Sequence, residues 1–323
     1  MSSAEGAHKK STSAVRPKVS IIILNWNSYE VTRDCLLSLE KINYPNYEVV
    51  LVDNGSVDGS ADKLRHQFPS ARLIRNETNL GFAGGNNVAM RDVLARGADY
   101  LLLLNNDTIV APDFLDQLIG GAETKPEIGL VNPKILYYDP ADRIWYAGGS
   151  YKLGWSFARH LGVHRVDNGK YNRVREVSFV TGCALLVKTE VVRKIGLLDE
   201  VFFFGFEDLD WCVRAMREGF RALYVPSAVV WHREGYVTKK NLGKPVKDFY
   251  YFKNSVILAR KHMQAWHWPL YVLSIARHLA YRTAGYVVRR EPQRIKAMYR
   301  GLWSGFHTKL GEHGGADPAA DPK

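Results

Sequence analysis

Cysteine is scarce: Cys35, Cys183 and Cys212 are the only three in 323 residues, and no two of them form a C-x-x-C pair. This excludes a disulfide framework and gives no sign of a zinc site, and such thiol usage fits a reducing cytosol. The first 18 residues lack an apolar core of the kind a signal peptide needs, so they read as a disordered tail with no export implied. A G-x-G-x-x-G fingerprint is absent, which argues against a dinucleotide-dependent oxidoreductase. No basic-aromatic nucleic-acid module is recognisable, so net charge alone suggests a nucleic-acid partner and none is expected. Acidic residues are few in one region: between Arg233 and Leu310 stand 16 Lys and Arg against Glu234, Asp248 and Glu291. That region therefore carries more than the whole net charge of +11, and the remainder is slightly acidic. Its longest stretch free of Lys, Arg, Asp and Glu is His262–Ala276, short of the roughly 20 residues a transmembrane helix needs.

What is present is a sizeable apolar content, 46%, arranged as alternating strand and helix patterns. Val19–Asn25 and Glu48–Val52 are β-branched apolar runs, Ala71–Ile74 is a shorter one, and Tyr100–Leu104 contains four successive leucines. Runs without period-2 alternation belong to strands covered on both faces. Between them, Tyr29–Glu40, Ala61–Phe68 and Val88–Ala95 have helical spacing, so the series predicts a doubly wound, mostly parallel α/β sheet. Asn76–Asn87, with three glycines and four asparagines, is expected to be a loop whose backbone comes close to a ligand. Further on, Pro112–Gly120 reads as a helix, Ile128–Tyr138 as extended, and Asp139–Arg175 as an irregular excursion over the active face. Glu176–Lys188 returns to strand character, with Gly182 allowing close approach of chain or ligand.

Polar residues gather where these strands end. Asp53 follows the second strand, where a carboxylate can serve a ribose or base or simply make an Asx-turn. Asn105, Asn106 and Asp107 end the leucine strand, and two readings stand: a polar turn, or a carboxylate holding Mg²⁺ or Mn²⁺ against substrate phosphates. A second acidic cluster, Glu207, Asp208 and Asp210, opens a helix whose core stripe is Leu209, Cys212, Val213 and Met216. Carboxylates there can complement the helix dipole, or Asp208 can project into a cleft as a general base. His232 follows the last strand as a hydrogen-bonded structural residue or as a nitrogen ligand for a cation.

Seven segments in order, VSIIILNWN, VVLVDNGSVDGS, NLGFAGGNN, LLLLNNDT, TGCALLVK, FFFGFEDLDWCVR and VVWHREG, resemble a family 2 glycosyltransferase with the GT-A fold, in the rhamnosyltransferase-like branch. The match runs from about Val19 to Gly235. The resemblance implies an inverting transfer from a nucleoside diphosphate sugar, dTDP-rhamnose first, to a hydroxyl of a saccharide or lipid-linked saccharide in cell-surface glycan synthesis. It implies a donor site of Asn25, Asp53, Asn79, Gly81, Asn86, Asn106 and Asp107, with Asp53 at the base or ribose. It also implies Asp107 and His232 as ligands of a divalent cation, Asp208 as the base, and Gly182, Glu207 and Trp211 at the acceptor. In one departure the family's D-x-D stands here as Asn105-Asn106-Asp107, without its first carboxylate. The alternative reading is a non-catalytic carbohydrate- or membrane-binding protein on a decayed site.

The expected organisation is a tail over 1–18, a catalytic domain over 19–240, a basic helical segment over 241–310 and a second tail over 311–323. The helical segment combines Trp266, Trp268, Tyr271, Tyr281, Tyr286 and Trp303 with Arg277, Arg282, Arg289 and Arg290. Either it is a solvated helical unit with a small aromatic core, or it lies on an anionic membrane at the cytoplasmic face. Pro269 is expected to break its helix into two short pieces.

Overall fold

The buried leucines of Tyr100–Asn105 lie in the middle of a ten-stranded mixed sheet. A computed structural model describes residues 16–236 and 242–311. Both expected tails, up to residue 15 and from residue 312, and the expected domain boundary at 240/241 lie outside the described residues. Residues 16–18 do not continue a tail: the Pro17 carbonyl accepts from Tyr44 Oη at 2.7 Å, and Lys18 N donates to Asp99 at 2.7 Å.

The strands are β1 (Val19–Asn25), β2 (Tyr47–Asn54), β3 (Arg72–Asn76), β4 (Tyr100–Asn105), β5 (Thr108–Val110), β6 (Ile128–Tyr137), β7 (Ile144–Tyr146), β8 (Gly149–Ser150), β9 (Arg159–His160), β10 (Arg175–Val177), β11 (Ala184–Lys188) and β12 (Arg221–His232). The helices are α1 (Tyr29–Leu39), α2 (Ser60–Gln67), α3 (Gly81–Ala95), α4 (Phe114–Ala122), α5 (Thr189–Ile195), α6 (Glu207–Arg217), α7 (Gly243–His262), α8 (Trp268–Val288) and α9 (Pro292–His307). Sheet order is β10-β12-β6-β11-β4-β1-β2-β3, with β5 on β12 and β7 on β6. The half built from β4, β1, β2 and β3 is parallel, as its βα alternation requires. Strand β11 enters antiparallel between β4 and β6, so the sheet is mixed and not doubly wound throughout.

Parallel strands place their carboxyl ends on one edge, so Asn25, Asp53, Asn54, Asn105 and Asn106 arrive together. Strand β12 runs unbroken from Arg221 to His232, with an irregularity between Val225 and Val229. Its end pairs antiparallel with β5, which sets His232 opposite Thr108, one residue after Asp107.

The helical segment is not a separate appendage. Ile257 and Leu258 of α7 lie in the main core, while Phe252 and Ala259 join Tyr271, Ile275, Tyr286 and Met298 in a second, smaller core. Helix α9 lies almost on the backbone of α7: a Cβ at Gly301 would come within 2.3 Å of the Phe249 carbonyl, so only glycine permits this approach. Pro269 does not divide a helix. It sits at the start of the 21-residue α8, where its missing N–H costs nothing.

Candidate active site

The carboxyl edge of the parallel strands opens into a cleft of about 430 Å³, walled by aromatic side chains and floored by polar ones. Its floor is held by a relay of buried amides and hydroxyls. Asn106 Nδ2 donates to Thr32 Oγ1 at 2.8 Å, Thr32 Oγ1 donates to Asn25 Oδ1 at 3.0 Å, and Asn25 Nδ2 donates to Ser60 Oγ at 2.9 Å and Asp53 Oδ1 at 3.2 Å. Of the expected donor residues, Asn79, Gly81, Asn106 and Asp107 line the cleft; Asn25, Asp53 and Asn86 do not. Asn25 is consumed in the relay. Asn86 is buried on α3 and donates to the Phe82 carbonyl one turn back at 2.8 Å.

The glycine-rich stretch is not the long loop expected. Helix α3 begins at Gly81, seven residues earlier than the periodicity suggested, and only Glu77–Leu80 links it to β3. Buried Asn54 builds that link: it donates to Asn79 Oδ1 at 2.8 Å and the Gly81 carbonyl at 3.1 Å, and accepts from Asn76 at 3.0 Å and Leu80 N at 3.2 Å. Gly81 has a φ of +72°, and a Cβ there would stand 2.3 Å from the Phe203 carbonyl. Phe82 N donates to that same carbonyl at 2.8 Å, joining the donor side of the cleft to the segment before α6.

Asp107 and His232 meet through the β5–β12 ladder, reinforced by Arg233 N donating to the Asp107 carbonyl at 2.9 Å. His232 Nε2 lies 3.1 Å from Asp107 Oδ1, both buried. Oδ1 nevertheless has no hydrogen-bond partner among the described residues, and neither has His232 Nδ1. A buried carboxylate oxygen and a buried imidazole nitrogen 3.1 Å apart fit adjacent ligands of one divalent cation. No group of three or more His, Cys, Asp or Glu is arranged to hold a metal ion among the described residues, so such a cation would take its remaining ligands from substrate and water.

Across the cleft, α6 starts with Phe206 in the left-handed region at φ 75°, directly after Gly205. This turn aims Asp208 at the turn before β11, where Gly182 N donates to its Oδ2 at 2.9 Å; Leu209 N donates to Oδ1 at 2.8 Å. Burial raises the Asp208 pKa to about 6, against the lowering effect of those two N–H groups. Burial, then the Asp208 charge, push neighbouring Glu207 well above the carboxylate range, and its Oε2 has no hydrogen-bond partner among the described residues. Two adjacent carboxyls thus differ in ionisation, Asp208 being the one that ionises first. Glu207 and Gly182 line the cleft. Trp211, expected beside the acceptor, is a core residue: it is fully buried and donates its indole N–H to the Gly196 carbonyl at 2.9 Å.

Other lining groups were not anticipated. Trp26 follows β1, Asn54 ends β2, and His160 comes from the excursion between β7 and β10, edge-on to Trp145, which in turn packs edge-on to His232. Burial lowers the His160 pKa to about 4, so it is neutral at physiological pH. Phe203, Phe206 and Tyr251 complete an aromatic wall. Asn54 was legible as the second residue of a polar strand end; His160 carried no local signal.

This mostly parallel sheet with flanking helices and a cleft at its carboxyl edge has the GT-A architecture, and comparison gives the family. The chain belongs to the family described as "Glycosyltransferase like family 2", whose pattern matches residues 17–248. It is 30% identical over 229 residues to an uncharacterized protein of Sinorhizobium fredii, an alignment covering 68% of this chain but 24% of that protein. The chain thus spans about a quarter of that relative's length. It is 27% identical over 255 residues to the N-acetylglucosaminyl-diphospho-decaprenol L-rhamnosyltransferase of Mycobacterium tuberculosis, covering 73% of this chain and 82% of that one. Among solved structures it is similar to the mannosyltransferase PcManGT from Pyrobaculum calidifontis in complex with GDP-Man and Mn²⁺, with a TM-score of 0.55 and 16% identity over 91% of this chain and 88% of that one.

Proposed function

We propose that this glycosyltransferase is inverting, and that it moves a sugar from a nucleoside diphosphate donor, dTDP-rhamnose first, to a hydroxyl of a lipid-linked saccharide in cell-surface glycan synthesis. The observation that carries the reading is Asp208: a half-buried carboxylate at the head of α6, in the same cleft as the Asp107–His232 pair, with a pKa near neutrality. An aspartate so raised is a stronger base than an exposed one and remains ionised at pH 7.

In this reading the donor lies along Asn54, Asn79 and Gly81, with its diphosphate toward Asp107. Asp107 and His232 would hold Mg²⁺ or Mn²⁺, which when bound supplies Lewis-acid stabilisation to the departing diphosphate. Asp208 accepts the proton of the acceptor hydroxyl as its oxygen bonds to the anomeric carbon; the bond to the diphosphate breaks on the opposite face, and configuration inverts. Gly182 N keeps one carboxylate oxygen of Asp208 in place through the transfer. Neutral Glu207, with an unpaired oxygen, is suited to hydrogen-bond a second acceptor hydroxyl. The aromatic wall excludes water and offers apolar faces to the acceptor; holding two reactants aligned in such a site can contribute about 7–11 kcal/mol. The rhamnosyltransferase name of the mycobacterial relative and the basic C-terminal helices support an acceptor presented at the cytoplasmic face of an anionic membrane.

The test is a panel of nucleoside diphosphate sugars, scored by nucleoside diphosphate release in the presence of saccharide and prenyl-diphosphate saccharide acceptors, with the anomeric configuration of the product determined. A product of retained configuration would sink the mechanism. Absence of transfer from every donor would favour the decayed-site alternative.

A further inference from the structure

Helix α8 is turned inside out. Its hydrogen-bonding residues face the protein: Ser274 Oγ accepts from Ser156 N at 3.2 Å, Tyr271 Oη pairs with Ser255 Oγ at 3.1 Å, and Arg282 reaches Tyr286 Oη at 2.8 Å and Asp248 at 3.5 Å. Apart from Tyr271, Ile275 and Tyr286 in the second core, with Trp268 and Leu279 packed against it, its apolar residues face outward. Leu270, Val272 and Leu273, then Ala276, Ala280, Tyr281 and Ala284, then Val287 and Val288 are all exposed, Leu273 at 68%, Tyr281 at 77% and Val288 at 84%. Arg277 is the one charge on this face before the helix ends at Arg289 and Arg290. A solvated surface helix has the opposite polarity, and an exposed apolar strip of this length marks a contact surface.

We propose that the outer face of α8 lies in the headgroup–acyl boundary of an anionic membrane, parallel to its plane, with Arg277, Arg289 and Arg290 on lipid phosphates. This deepens the lipid-linked-acceptor reading and rests on it only for its purpose, since the face itself is read from exposure and charge. Helix α9 adds a strip of the same kind: Tyr299, Trp303 and Phe306 are exposed at helical spacing, opposite the glycines that seat it on α7, with Lys296 and Arg300 beside them. Trp266, at 71% exposure, stands just before α8. Apolar strips edged by Lys, Arg, Trp and Tyr match an interface and not a span, and no helix among the described residues is long and apolar enough to cross a bilayer. Charge selects lipid over a second copy of this chain: self-association through this face would bring arginines against arginines, whereas anionic headgroups complement them.

The location also serves the cleft. Ser156 is bonded to Ser274, and the next residue, Phe157, lies edge-on to His278 of α8 and lines the cleft. The cleft wall is therefore mounted on the helix that meets the lipid, and an acceptor rising from the membrane enters beside it.

The experiment uses the full chain in flotation with phosphatidylcholine vesicles with and without phosphatidylglycerol. The protein should float with the anionic vesicles, and Leu273→Glu should weaken this by about tenfold or more, as expected for replacing a buried leucine with a charge. Thermal unfolding of Leu273→Glu and its transfer to a water-soluble acceptor should match the unsubstituted protein, because Leu273 touches neither core nor cleft. Arg289→Gln with Arg290→Gln should reduce the preference for anionic over neutral vesicles. Lipid binding by a protein that transfers no sugar would uphold the docking and remove the transferase reading. Full-length protein left in the aqueous layer, or Leu273→Glu floating as well as the unsubstituted chain, would overturn the proposal. So would a dimer in light scattering that Leu273→Glu dissociates without any lipid binding, which would assign the face to a second copy.

Discussion

Asp208 and Glu207 are sequence neighbours with opposite electrostatic situations, and the difference predicts kinetics. Asp208→Asn should lower kcat by roughly 10²–10⁴-fold, the range for losing a general base, with donor affinity nearly intact by calorimetry. Glu207→Gln should be mild, since the native carboxyl is already protonated. The base works ionised, so kcat/KM should rise with pH through about 6 and level off above it. A profile flat from pH 5 to 8 would take Asp208 out of the role. Stability runs the other way for this group. Its folded pKa lies above the reference 3.8, so its contribution is full below that value and is lost as pH rises through about 6. At the facing pair, Asp107→Ala and His232→Ala should each raise the Mn²⁺ or Mg²⁺ concentration required for half-maximal activity. Excess EDTA should silence the unsubstituted enzyme; undiminished activity in chelator would leave leaving-group stabilisation to protein groups alone.

Among the elements, α7 does more than support the C-terminal helices. Buried Asn254 donates to the Phe204 carbonyl at 3.0 Å and the Gly205 carbonyl at 2.7 Å, while Tyr250 stacks on Phe203 and Tyr251 lies edge-on to Phe206. The strained turn that aims Asp208 is thus clamped from α7. On α6 itself, Asp210 is bound by His262, Lys261 and Arg214 at 2.7–2.8 Å, which hold its carboxyl well below the usual range. Asn254→Ala, removing two part-buried hydrogen bonds, should cost roughly 1–3 kcal/mol in stability and lower kcat more than it raises the donor KM. Steady-state kinetics with thermal unfolding checks this; an effect on stability alone would make Asn254 a packing residue only.

For the whole molecule, the shared role of α7 sets the outcome of truncation. Ending the chain at Lys253 would remove Ile257 and Leu258 from the main core and the His262 and Lys261 partners of Asp210. Such a chain should fail to fold cooperatively, read by circular dichroism on heating, and not merely lose lipid binding. A truncated protein melting like the intact one would make the helices an independent module.

The first half of the sheet was legible because its information is local: apolar runs alternate with helical spacing, and parallel strands must deliver their polar ends to one edge. The opposed acidic clusters, and through the ordered motifs the family, were readable for the same reason. Non-local contacts escaped that reading. Helix α3 starts at Gly81 because the Phe203 carbonyl, far away in sequence, occupies the space a side chain would need. Trp211 and Asp208 lie three residues apart at the head of one helix, yet packing against Gly196 sends the first into the core while the bond from Gly182 draws the second into the cleft. Of the aromatic and basic residues in the helical segment, Tyr271 and Tyr286 are buried, Trp268 is half-buried, and Arg282 turns in to Asp248. Periodicity shows that a helix has two faces. Which face meets the protein is settled by the partners that fill its polar valences, and for α8 those partners, Asp248, Ser156 and Ser255, come from elsewhere in the chain.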